Sequence, residues 1–517
     1  MAARKRKRSA GKTNLKQERK VSSFFDIPKH QWRNNFPAYE IANEQMLEEI
    51  HDASMQILEN TGMRFQDEEA MELWEKAGAK VDRKTQHVWI DRGLLMGLIE
   101  KAPESFTFRS RNPERNQLIG KNGVANLSAA GCVFIRDLDG GRRPGKREDM
   151  VTLGKLIQMT NAIHLAPVMS VVMHDVPVYK KHLDGYWLGS TLSDKPVMGT
   201  SHGRVITEDV VQMAKIVHGE DLRPEDGPVT GGVINVNSPL VYDDRMLGGM
   251  MTFAKHGQFT VVTPFILSGA NSPITIIGAI AQQNAEALAG IALLQLVRPG
   301  APCVYGGFAT NVDMKSGAPS FGTPEGAWAL MLGAQLARRY GVPYRGSGTL
   351  NTSNMPDGQA MSESMWSLWP CILSRTNLIF HSAGWLESGL THSLEKFVMD
   401  AENLAMMQHF LAGPEMGEDA FALKEIHEIG PAGHHFGTDH TQARFQNAFY
   451  PPFLHDRRNN GQWLADGGDD IVTRANKLWK TIIRDYEEPA FDSNTKQALN
   501  DYVEKRAKEL ENVDLYD

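Results

Sequence analysis

One stretch, GVPYRGSGTLNTSNMPDGQ at Gly341–Gln359, narrows the possible folds more than any other. A Gly-Val-Pro turn leads into a short run with β character that ends in Gly, Thr and Asn. Met355-Pro356-Asp357 then opens a helix, with Asp357 placed as its N-cap. Pro356 keeps Asn354 and Met355 out of that helix. A strand, a polar loop and a capped helix in this order make the β-loop-α unit of a parallel α/β protein. In such units the loop after the strand carries the chemistry.

The pattern recurs from residue 123 onward. Expected strands lie within Val124–Ser128, His164–Met173, Pro196–His202, Pro228–Asn237, Phe259–Leu267, Pro302–Phe308, Tyr344–Leu350 and Leu378–Ala383. Expected helices between them include Glu148–Ile157, Glu208–His218, Arg245–Lys255, Ile274–Leu296, Pro324–Tyr340 and Asp357–Leu373. Near-continuous apolar strands are buried on both faces, as a parallel sheet requires. About eight β/α units over roughly 280 residues is the extent of a TIM (β/α)8 barrel. A doubly wound sheet competes, but no Gly-x-Gly-x-x-Gly turn follows the first strand. The expected fold is therefore α/β, a TIM (β/α)8 barrel over residues 123–429. An N-terminal α+β extension (23–122) and a C-terminal loop and helical cap (430–517) flank it.

Residues 1–22 read as a basic, disordered tail, the alternative being a nucleic-acid or partner arm. The chain carries a net charge of −7, and nothing after the tail supports nucleic-acid recognition. Its three cysteines, Cys132, Cys303 and Cys371, lie far apart, which suits a reducing cytoplasm. No apolar run approaches the roughly 20 residues of a membrane span. A cytoplasmic protein without a membrane is expected, and a homo-oligomer would be ordinary.

Residues at strand C-termini share one barrel mouth. The candidates are His174, His202, Asn235, Asn237, Ser268, Asn271, Phe308, Asn311, Asn351, Asn354, His381, Trp385 and Glu387. The set is rich in Asn, His and aromatic residues. It is poor in the converging carboxylates and His-x-His spacing of a metallohydrolase, so no intrinsic metal is expected. His202 is either a structural hydrogen-bonder or a donor to a substrate carboxylate. Asn235 and Asn237 share a side of their strand. They either offer neutral donors at the mouth or cap the Ser238–Pro239 loop. Trp385 beside Glu387 suits a quaternary ammonium, unless the Trp packs under the loop and the Glu pairs outside. Trp366 and Trp369 read as core, and His434 with His435 as support for a turn.

Several segments, in order, resemble the trimethylamine methyltransferase family of corrinoid-dependent enzymes. They are ILENTGM at Ile57–Met63, GGFATNVDMKSGAPSFGTPEGA at Gly306–Ala327, RGSGTLNTSNMPDGQAMSES at Arg345–Ser364, and GHHFGTDHT at Gly433–Thr441 followed by Trp463. The resemblance implies a TIM barrel that moves a methyl group from a methylated amine to the Co(I) corrinoid (cobalamin) of a separate, cognate corrinoid protein. Founding members use pyrrolysine near the strand end that Leu350–Asn354 resembles. Ordinary residues stand there in this chain, so it resembles the non-pyrrolysine branch, with glycine betaine as methyl donor and dimethylglycine as product.

A quaternary ammonium leaves as a neutral tertiary amine, so no general acid is required, and no residue is assigned a catalytic role. The protein then supplies position and desolvation. On that reading Phe308, Trp385 and Glu387 contact the trimethylammonium group. His202 with Asn235 and Asn237, or Arg345, holds the carboxylate, and Asn351, Asn354 and His381 belong to the same mouth. The alternatives are a non-catalytic betaine-binding or regulatory barrel, or another quaternary amine such as proline betaine, carnitine or choline.

Overall fold

A computed structural model describes residues 24–219, 222–513 and 515, and the basic tail lies outside them. In the Gly341–Gln359 stretch, Tyr344–Ser347 is a strand and Gly358–Leu373 a helix. Asp357 caps that helix by accepting from the Ala360 N–H at 3.0 Å.

The centre of the fold is a parallel sheet that curls. Its strands are β1 (Gly123–Asn126), β2 (Gly231–Val236), β3 (Phe259–Ser268), β4 (Cys303–Gly306), β5 (Tyr344–Ser347) and β6 (Leu378–Phe380). They pair in the order β2-β3-β4-β5-β6-β1. All residues of β1, β4, β5 and β6 are buried, as expected for strands covered on both faces.

The runs His164–Met173 and Pro196–His202, expected as strands, form no regular ladder. Pro167 and Pro196 have no N–H to donate, which interrupts the pairing on both sides. These runs join the sheet through single parallel bridges, Leu127 to Leu165 and Ala166 to Val197. A hydrogen bond from the Gly199 N–H to the Gly231 carbonyl, at 2.6 Å, ties the second run to β2.

The helices between strands fall within a few residues of expectation, at Arg147–Met159, Arg204–His218, Asp244–Lys255, Ile276–Val297, Pro324–Arg339 and Gly358–Leu373. A further helix, Lys181–Leu192, was not expected. Nine of its residues are buried, all round its axis, so it shows no apolar stripe. Ile276–Val297 is long and apolar enough to cross a membrane, but 83% of its apolar window is buried inside the protein.

The hairpin Ser105–Phe108 with Gln117–Gly120 fills the N-terminal end of the curled sheet. Phe106 and Phe108 pack on Phe259 at 5.1 and 4.8 Å, together with Leu127, Leu165 and Met198. This end is thus sealed by apolar side chains, and polar chemistry is left to the opposite end. The N-terminal helices Glu44–Gln56, Glu68–Lys76 and Arg92–Ile99 share a core with Ile276–Val297. The C-terminal helix Ile471–Arg484 buries Ile482, while Trp479 donates to Glu395 at 2.9 Å. Trp366 is 51% exposed and so does not belong to the core; Trp369 packs edge-on against Phe410.

Candidate functional site

A cavity of about 690 Å³ opens at the C-terminal ends of the strands. His202, Asn235, Phe308, Arg345, His381 and Trp385 all line it.

Arg345, on β5, is the most informative of these. It is 2% exposed, and Nη1 donates to the Gly307 carbonyl at 3.2 Å. Its guanidinium lies over Phe308 at 4.9 Å and Phe380 at 4.7 Å. Among the described residues no carboxylate pairs with it. Burial lowers its pKa to about 10, so it remains a cation at neutral pH.

His381 follows β6 with φ +52°, and Nδ1 is buried without a hydrogen-bond partner. Burial, then the nearby Arg345, hold its imidazole well below the usual range, so it is neutral. Its ring centre lies 4.4 Å from that of Trp385. Trp385 meets Phe321 edge-on at 5.7 Å and Phe308 edge-on at 6.4 Å, while Phe308 stacks on Phe321 at 5.7 Å. Gly389, at φ +96°, lets the following loop cross the indole; a Cβ there would sit 2.5 Å from the ring.

The structure does not bring four expected residues to the cavity wall. Asn237 donates to Asp243 at 2.7 Å, in the loop that caps the Asp244–Lys255 helix. Asn351 is fully buried behind Trp385 and donates to its carbonyl at 2.5 Å. Asn354 is exposed in a loop that Glu363 organises through Thr352. Glu387 pairs with Arg142 at 2.8 Å, and that guanidinium lies 3.6 Å over Phe134. Ser268, Asn271 and Asn311 serve hydrogen bonds within their own loops, and His174 bonds to the Val133 carbonyl at 3.1 Å.

The wall also includes residues that strand-end reasoning missed: Lys181, Met169, Met198, Thr200, Thr263 and Phe380. Lys181 begins a helix, so no strand-end pattern could select it. Two basic side chains, Arg345 and Lys181, therefore face the cavity, and among the described residues no Asp or Glu lines it. Among the described residues, no group of three His, Cys, Asp or Glu side chains could hold a metal ion. The arrangement suits a ligand with a carboxylate at Arg345 and a cation against the aromatic wall of Phe308 and Trp385.

The chain is 36% identical over 474 residues to the glycine betaine methyltransferase of Desulfitobacterium hafniense, covering 92% of this chain and 98% of that protein. It is 28% identical over 481 residues to a proline betaine:corrinoid methyltransferase of Eubacterium limosum, covering 89% and 96%. In fold it is similar to the crystal structure of the Methanosarcina barkeri monomethylamine methyltransferase, at a TM-score of 0.51 and 10% identity, over 92% of this chain and 93% of that one. With a match that runs from residue 4 to residue 511, the chain belongs to the trimethylamine methyltransferase (MTTB) family.

Proposed function

We propose that this protein is a methyltransferase that moves a methyl group from a betaine, glycine betaine first, to the Co(I) corrinoid of a separate partner protein. One observation carries the reading: Arg345 is a buried cation with no acid beside it among the described residues, set in an aromatic wall. An uncompensated buried charge is costly, and a ligand carboxylate offsets that cost. The relatives named for glycine betaine and proline betaine support the same substrate class.

Each residue then has a defined task. Arg345 grips the carboxylate, and neutral His381 adds a hydrogen bond to it. Phe308 and Trp385 give the trimethylammonium group an apolar, electron-rich face that excludes water. The methyl carbon–nitrogen bond breaks, its electron pair stays on nitrogen, and dimethylglycine leaves neutral at that atom. No proton is transferred, which fits a wall to which none of the described residues brings a carboxylate. The reduced corrinoid of the partner, as acceptor substrate, supplies the nucleophile, and the open end of the cavity is where that partner docks.

The fold that goes with this reading is a closed (β/α)8 barrel. The Leu127–Leu165 and Ala166–Val197 bridges, with the Gly199–Gly231 hydrogen bond, support two further strands that join β1 to β2. Free, buried Cys132, Cys303 and Cys371 suit a cytoplasmic setting. Exposed Phe421, Phe436, Phe445 and Phe449 support a homo-oligomer.

The test is to incubate the protein with glycine betaine and reduced corrinoid, free or on its cognate protein, and follow the absorbance of methylcobalamin. Methylcobalamin and dimethylglycine are expected in equal amounts. Betaine binding without either product would identify a betaine-binding protein instead.

A further inference from the structure

The cavity is electrically one-sided. Arg345 on β5 and Lys181 at the start of the Lys181–Leu192 helix both contribute to its wall. Lys181 forms no ion pair or hydrogen bond with another described residue, whereas the neighbouring Lys180 takes Asp184 at 3.4 Å. Arg147 takes that same carboxylate at 3.1 Å, so the acid on this helix is already in use.

On the far side of the cavity from β5 and β6 stand other polar groups. His202 follows the run that carries Val197, and Asn235 lies on β2; both line the cavity, and neither side chain is hydrogen-bonded to another described residue. Thr200 Oγ1 is buried there without a partner. His202 is exposed to the cavity, and the protein packed around it still lowers its imidazole pKa, which makes it a neutral donor. Met169, Met198 and Ile206 supply apolar surface in the same wall.

A ligand with one carboxylate offsets Arg345 and leaves Lys181 sharing the cavity with a quaternary nitrogen of the same sign. We propose that the cavity takes a quaternary ammonium bearing two carboxylates, net charge −1, with Arg345 holding one and Lys181, beside His202 and Asn235, holding the other. This rests on the betaine reading above and narrows it to betaines of acidic amino acids; glycine betaine fills only the Arg345 half.

The test is calorimetry on the full chain with three probes: glycine betaine, N,N,N-trimethylglutamate and N,N,N-trimethylglutamine. The last two match in shape and differ in one charge. Trimethylglutamate is expected to bind roughly tenfold tighter than trimethylglutamine, and Lys181→Met to bring the pair within about twofold. Lys181→Arg restores the preference, and an unchanged melting midpoint shows that both variants fold. Equal binding of the pair to the unaltered protein, or a preference that survives Lys181→Met, overturns the second carboxylate and leaves the glycine betaine reading standing. Failure of all three probes to bind overturns both.

Discussion

Asn351 and Trp385 hold each other by two hydrogen bonds. The Asn351 side-chain amide donates to the Trp385 carbonyl at 2.5 Å, and the indole Nε1–H donates to the Asn351 carbonyl at 3.2 Å. Asn351 never touches the cavity, yet it fixes the ring that does. In Asn351→Ala the indole keeps its backbone acceptor, while the buried Trp385 carbonyl loses its donor. That costs about 1–3 kcal/mol of stability and frees the ring to tilt. Glycine betaine affinity should fall about tenfold by calorimetry. A variant that melts earlier and binds unchanged would make Asn351 purely structural.

Arg345 makes a prediction in two opposite directions. Its charge costs stability in the empty protein, because burial already pulls its pKa down to about 10 with no acid to offset it. Arg345→Met fills a similar volume without charge, so the empty protein should be as stable as before or about 1–4 kcal/mol more stable. Betaine affinity should fall by about a hundredfold or more, since the ligand carboxylate then enters a cavity without its partner. Urea unfolding and calorimetry on the same preparation read both. A variant that loses stability and keeps affinity would remove Arg345 from the site.

What the sequence told in advance follows from the range of the interactions concerned. Asp357 was legible as a helix cap, because a cap is a contact between residues three apart. His381 and Trp385 were legible because parallel strands deliver their C-terminal ends to one place. That Glu387 pairs outside the site was one of two readings, but its partner was not legible, because Arg142 is 245 residues away and pairs with it only after folding. The helix at Lys181 escaped for a different reason: buried on every side, KHLDGYWLGSTL carries no periodicity to read. The sequence also suggested regular strands where Pro167 and Pro196 permit only isolated bridges.

Two buried histidines set the acid limit of the fold. His164 Nδ1 accepts from the Asn126 N–H at 3.0 Å, and His392 is fully buried with neither ring nitrogen bonded. Burial lowers both pKa values to about 3. In the unfolded chain they return to about 6.5. Below that pH the unfolded chain binds more protons than the folded one, so stability is lost as pH falls from 6.5 toward 3. The loss is about 2 kcal/mol per histidine at pH 5 and nothing above neutrality. Buried Glu286 and Asp400, whose pKa values burial raises, oppose this trend, so the difference between variants is the clean measure. His164→Gln keeps an acceptor and does not titrate. Its urea midpoint should change less between pH 7 and pH 5 than that of the unaltered protein; an equal change would clear His164.

Lys396 and Asp400 form an ion pair with no exposure at all, 2.5 Å apart, one helical turn from each other. Lys396 also donates to Ser364 at 2.9 Å, and Asp400 accepts from the Gly384 N–H at 2.9 Å, directly before Trp385. The pair therefore pins the loop that carries the indole. Removing one member strands the other charge, so Lys396→Met should cost about 3–5 kcal/mol. Lys396→Met with Asp400→Asn removes both charges and keeps an acceptor for Gly384, and most of that loss should return. Lys396→Met with Asp400→Leu also removes both charges but leaves the Gly384 N–H unpaired. If the pair acts on Trp385 through Gly384, the first double variant keeps betaine affinity and the second loses it, although both fold. Equal affinity in the two would confine the ion pair to stability, because the two differ in the hydrogen bonds that residue 400 accepts from Gly384 and Thr349.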